Sequence, residues 1–179
     1  MHDWNVVATA YEHGYREARA LLATIGSTAE TEFFNVLVMR VADPTEVLPA
    51  LTAIGAADPG ALASLARVVP VTTCFSFQSP TTFEAQARTA ILPRLPELAG
   101  RSLYVRMHRR GFKGRLSSRD QERLLAEFIF EQLQRQGADA RVCFEDPDVI
   151  IALESVGQRA GLSVWERELR ARYPLLRLD

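Results

Sequence analysis

Lysine is nearly missing from this sequence. Of its 21 basic side chains only Lys113 is a lysine, and we read the excess of arginine as a compositional bias of the source rather than as guanidinium chemistry. Cysteine is equally sparse. Cys74 and Cys143 each sit in a strand-like apolar run, outside any CxxC pair or Cys/His cluster, which excludes a zinc site and a disulfide framework and fits a reducing compartment. No apolar run approaches the roughly 18–20 residues that cross a bilayer. The opening MHDWNVVATAYEHGYREARALL carries Asp3 and Glu12 where a signal peptide has a basic and then an apolar series, so a cytoplasmic protein away from membranes is expected.

Catalytic chemistry is also hard to find. His2, His13 and His108 are scattered, and neither cysteine has a base beside it in the sequence. The phosphate-cradling GxxxxGK[ST] pattern is absent. Asp146, Asp148 and Glu154 invite a metal reading, yet Asp148 and Glu154 stand about 20 Å apart on an extended strand at ~3.3 Å per residue. No metal, no cofactor and no enzyme active site is expected. Trp4 and Trp165 read as packing residues, and the C-terminal arginines alternate with Glu166 and Glu168 as a salt-bridged helix face.

What is present is an ordinary globular mix, 47% hydrophobic and 24% charged over 179 residues. A chain of this length hides roughly 70% of its unfolded surface, enough for an apolar core without covalent staples. The formal net charge of -1 conceals a split. Residues 1–100 hold 6 arginines against 10 acids, and residues 101–179 hold 15 cations against 12 acids. Between Arg101 and Arg119 lie Arg106, Arg109, Arg110, Lys113 and Arg115 with no acid at all; Asp120 is the first.

Along the chain, Asn5–Tyr11 and Phe33–Val41 read as strands, and the spacing of Tyr15, Ala18, Leu21, Leu22 and Ile25 predicts a helix over 14–25. Asp43-Pro44 opens another helix as N-cap and first helical residue, running to about Ile54. Val68–Phe77 is β-branched and aromatic, with Pro70 favouring an edge position or a later start. Thr81 or Thr82 caps a helix over 83–98 that Pro93 and Pro96 interrupt, and Leu103–Arg109 is the next strand. This β-α-β-α-β-α-β order suits a ferredoxin-like sheet, with a boundary at Ala99-Gly100. Further on, Ser117 or Ser118 caps a helix whose apolar face is Leu124, Leu125, Phe128, Ile129 and Leu133, ended by Gly137. Arg141–Glu145, Asp148–Glu154 and Leu162–Trp165 read as strands, and Arg167–Arg172 as a last helical turn.

Period-two geometry sends Leu103, Val105 and Met107 to one face of their strand and Tyr104, Arg106 and His108 to the other. If helices cover the apolar face, the other presents a ring, a guanidinium and an imidazole in one open row, a pattern suited to phosphates and unpaired bases. The loop Arg109-Arg-Gly-Phe-Lys-Gly-Arg115 follows. Its glycines permit close backbone approach, its cations alternate with them, and it runs into a helix N-terminus, itself an anion site. The bland account of the same residues is a solvated surface, with Arg106 paired to an acid such as Glu145 or Glu154.

Tyr104-Val-Arg-Met-His-Arg-Arg, Phe112-Lys-Gly-Arg, the helix 118–134, Val142-Cys-Phe-Glu-Asp-Pro-Asp-Val-Ile-Ile-Ala-Leu-Glu154 and Arg159-Ala-Gly-Leu-Ser163 together resemble a THUMP domain, the RNA-binding module of thiouridine synthases, RNA methylases and pseudouridine synthases. The pieces are most similar to the stand-alone type, the adaptor that assists tRNA cytidine acetylation, and cover about residues 100–165. The resemblance implies an α+β fold, with an N-terminal ferredoxin-like domain over 1–100 and a THUMP-like RNA-binding domain over 101–179. It further implies a non-catalytic protein that binds the acceptor stem and unpaired 3′ end of tRNA and presents it to a modifying enzyme acting in trans. The residues expected to meet RNA are Tyr104, Arg106, His108, Arg109, Arg110, Lys113, Arg115, Arg119 and Arg159. Pro147-Asp148 and Glu154 are structural in that reading. The rival reading is a ferredoxin-like regulatory or oligomerisation domain that binds a small anion or a protein partner, kept open by the acidic first half.

Overall fold

The computed structural model describes residues 3–178, so Met1, His2 and Asp179 lie outside the described residues. The chain forms two compact units, one running up to Thr72 and joined by residues from Arg170 onward, the other Thr73–Leu169. The fold is α+β, as expected. The division, however, does not follow the anticipated boundary at Ala99-Gly100.

The first unit is built from β1 (Val6–Ala10), α1 (Tyr15–Ala23), β2 (Ser27–Glu30), β3 (Val36–Arg40), α2 (Val47–Ala57) and β4 (Leu65–Pro70). Its sheet has the order β2-β3-β1-β4 and is antiparallel throughout. Each helix therefore links strands that have another strand between them, the split arrangement of a ferredoxin-like sheet. Ala18 and Leu22 are the buried side of α1, and Val47, Leu48 and Leu51 that of α2, while every residue of Val36–Met39 is buried. Asp43 accepts a hydrogen bond from the Thr45 N–H at 2.9 Å, starting a 3-10 turn, Pro44–Glu46, that leads into α2. The C-terminal segment joins this unit by main-chain and side-chain bonds to β4. Val68 N–H donates to the Leu175 carbonyl, Arg67 Nε to that of Arg177, and Arg177 Nε to that of Ala66.

The second unit holds β5 (Thr73–Ser76), α3 (Pro80–Ile91), α4 (Leu95–Leu98), β6 (Ser102–Arg110), α5 (Ser118–Arg135), β7 (Arg141–Val142), β8 (Val149–Val156), β9 (Arg159–Glu166) and α6 (Arg167–Arg172), the last continuing past Leu169 into the first unit. Its sheet order is β5-β9-β8-β6-β7, with β6 parallel to both β7 and β8 and the remaining pairs antiparallel. α5 packs on β6, and α3 packs on β9 and α5. The core between them gathers Phe77, Phe83, Leu103, Met107, Ile129, Ile151 and Leu162 with their neighbours. Ser117 caps α5 by accepting from the Asp120 N–H; Gln121, Leu125, Ile129 and Leu133 then recur every four residues as its buried stripe. Gly137, at φ +72°, ends it.

Three local expectations change. The apolar run Val68–Phe77 is two strands, β4 and β5, belonging to different sheets, and Pro70 closes the first of them. The ferredoxin-like sheet is therefore complete at Pro70, and the strand at Leu103–Arg109 belongs to the second sheet. The cap of α3 is Ser79, whose Oγ accepts from the Thr82 N–H, because Pro80 occupies the first helical position. The strand expected over Arg141–Glu145 shrinks to Arg141–Val142.

Candidate nucleic-acid interface

β6 alternates as its sequence requires: Leu103, Val105 and Met107 are buried under the helices, and Tyr104, Arg106 and His108 face the other way. That second face is not the open row expected. The parallel register sets His108 against Glu154 of β8, and Arg110 against Val156. Glu154 is 1% exposed, and a carboxylate so placed demands charged partners. Arg110 Nη1 donates to its Oε2 at 2.6 Å, with the arginine side chain only 13% exposed. His108 Nδ1 stands 3.4 Å from Oε1. Arg106 turns to the opposite edge, 3.7 Å from Glu122 of α5, whose Oε1 also accepts from the Met107 N–H at 2.8 Å. Glu122 of α5 is thus a partner of Arg106 that the sequence did not suggest.

Arg159 opens β9 and lies in register with Val156, in line with Arg110 across the sheet. The Asp148 carboxylate accepts from the Ser102 N–H at 2.8 Å and from its hydroxyl at 2.7 Å, and Arg167 lies 3.0 Å away. The Ser102 bonds, with the arginine adding to them, hold its pKa down at about 2. The carboxylates of the Pro147–Glu154 segment therefore brace β6 at two places, Asp148 at its start and Glu154 near its end.

The loop after β6 behaves differently. Gly157, in the turn between β8 and β9, donates its N–H to the Arg110 carbonyl. Gly111 sits against it at φ +101°, where a Cβ would come within 3.2 Å of the Gly157 backbone, so glycine is required. Arg109 Nη1 donates to the Gly111 carbonyl. Phe112 adopts φ +52° and lays its ring 4.9 Å from that of Phe77. The Arg115 and Leu116 N–H groups close on the Phe112 carbonyl. A ring packed against the core thus anchors the loop, while Lys113, Arg115 and Arg119 are exposed. Arg115 lies over the Phe112 ring at 4.9 Å. Among the described residues none of these three cations has a carboxylate partner.

Beside β6 the structure holds a feature the sequence reading did not single out. A cavity of about 380 Å³ runs along the strand edge, lined by Tyr104, Val105, Ala126, Phe130, Val142 and Phe144, with Arg119, Glu122, Arg123 and Glu127 around it. Phe144 is 71% exposed and meets Tyr104 edge to face at 5.4 Å. The signal in the sequence is Val142-Cys-Phe144 itself, an apolar run within the strand expected over Arg141–Glu145.

No protein-family model and no curated protein sequence matches the chain. Solved structures do. PH1313 of Pyrococcus horikoshii is 13% identical with a TM-score of 0.56, over 90% of this chain and 54% of that one. TrmN of Thermus thermophilus is 20% identical with a TM-score of 0.57, over 89% and 44%. A 4-thiouridine synthetase solved in complex with RNA and bound ATP is 11% identical with a TM-score of 0.55, over 91% and 41%. At such identities the likeness is one of fold. The chain spans about half the length, or less, of the proteins it resembles.

Proposed function

We propose that this chain is a tRNA-binding module that grips the acceptor stem and the unpaired 3′ end and presents them to a separate modifying enzyme, without catalysing a reaction itself. The observation that carries the reading is the loop 111–116, fixed at its root by Gly111 and Phe112 and holding Lys113 and Arg115 outward with no carboxylate partner among the described residues. Arg119, in the first turn of α5, extends that positive surface, and the helix start offers backbone donors to phosphate. The likeness in fold to a synthetase solved with RNA supports the same conclusion. So does the THUMP-like order of sequence pieces over 100–165.

Within this reading the expected RNA contacts divide. Lys113, Arg115 and Arg119 meet phosphate directly, and Arg109 lends charge from the loop's base. Arg106, His108 and Arg110 serve from behind, holding the strand and loop in place through Glu122 and Glu154. Tyr104 and Arg159 border the surface. A modifying enzyme working in trans, such as a cytidine acetyltransferase, is the partner this role requires.

A gel-shift titration of intact tRNA, and of tRNA trimmed of its 3′ end, tests the proposal. Intact tRNA should bind more tightly. Equal affinity would remove end recognition, and an absence of RNA affinity together with dimers in light scattering would favour an oligomerisation domain instead.

A further inference from the structure

We propose that the groove beside β6 is a docking site for an extended, acidic peptide segment of a partner protein. The inference stands apart from RNA binding except at Arg119, which both readings use. β6 pairs with β7 only at Ser102 and Leu103, whereas its pairing with β8 runs on to Arg110. The last bond on the β7 side is from Cys143 N–H to the Leu103 carbonyl, at 3.0 Å. Four residues further on, the Met107 N–H is capped by the Glu122 carboxylate. Val105 lies between them. In a parallel ladder alternate residues turn both backbone groups to the same neighbour, so Val105 offers an N–H and a carbonyl to the edge that β7 has left, and it lines the groove.

A donor and an acceptor on one strand edge are met most fully by another main chain, the geometry of strand addition. The cavity next to them accepts an apolar side chain between Tyr104, Phe130 and Phe144. Exposed Val142 and Phe144 extend that apolar floor to the surface. Charge selects the rest of the segment. Glu122 and Glu127 are held by Arg106 and Arg123. Arg119 is the rim cation with no carboxylate partner among the described residues, and an acid on the incoming segment supplies one. An open backbone donor and acceptor beside an apolar floor that takes one side chain suit a peptide main chain rather than RNA.

The test is fluorescence anisotropy of the full chain with three labelled, capped hexapeptides, each carrying a Leu, Phe or Trp anchor flanked by Val and Asp. At least one should bind saturably, and Phe144→Ala, which removes an exposed ring, should weaken it fivefold or more while leaving tRNA affinity within twofold. N-methylation walked along the peptide backbone should cost tenfold or more at one position, an effect that side-chain contact alone does not produce. Failure of all three peptides to bind, indifference to every N-methyl group, or displacement of the peptide by tRNA with Phe144→Ala weakening both would overturn the proposal. Loss of tRNA binding with peptide binding intact would count against the proposed function alone.

Discussion

The strand β6 and the loop it feeds belong to one acid-free stretch of sequence and hold their cations in different ways. On the strand, Arg110 and His108 close on the buried carboxylate of Glu154, and Arg106 lies against Glu122. In the loop, Lys113 and Arg115 stand in solvent on a backbone that Phe112 and two glycines shape. The same residue types therefore do two jobs. A guanidinium beside a buried acid is part of the architecture, since its attraction is spent inside the molecule. One without a carboxylate partner keeps its full field for a ligand.

The sharpest way to break this contrast is to remove the acid that holds the strand. Glu154→Gln leaves Arg110 with an uncharged neighbour in a largely buried position, and removing one partner of such a pair costs about 3 kcal/mol or more. A urea unfolding curve should show that loss; a change under about 0.5 kcal/mol, the size of an ordinary surface substitution, would mean that Glu154 does not organise the strand. At the other end of β6, Asp148 sharpens the same point through pH. Its pKa is lowered from 3.8 to about 2, so its contribution to stability is complete above the ordinary aspartate range and is lost as pH falls through about 2. The gap in urea midpoint between the parent and Asp148→Asn should accordingly narrow as pH is lowered across that window, and a constant gap would show that the Ser102 and Arg167 bonds carry no linkage. The smallest effect belongs to Arg106→Ala. Because Arg106 already has Glu122, tRNA affinity should change by less than twofold in a filter-binding titration, and a larger fall would return the strand to the binding surface.

Much of this arrangement was legible in the residues. The alternation of Leu103, Val105 and Met107 with Tyr104, Arg106 and His108 fixes which side of β6 is core, and the four-residue stripe from Gln121 to Leu133 does the same for α5. Glu154 as the partner of Arg110 was not legible, because the pairing depends on the β6–β8 register, between residues 44 apart in sequence. β2 was missed because Ser27-Thr-Ala-Glu30 is an edge strand with little to bury. The unit boundary was missed for the opposite reason. Val68–Phe77 reads as one β-branched and aromatic run, and the pairing of β4 with β1 and of β5 with β9 divides it. The open and closed cations come from one acid-free stretch of sequence. What separates them is whether a carboxylate from elsewhere in the chain reaches them.

The salt dependence of tRNA binding puts that distinction to the most direct trial. Each phosphate neutralised contributes roughly -0.7 to -0.9 to the slope of log affinity against log salt. The double variant Lys113→Glu, Arg115→Glu should bind tRNA at least tenfold more weakly than the parent, with a slope shallower by about two such contacts, and unfold at the same urea concentration. An unchanged affinity and slope in a folded double variant would contradict the account.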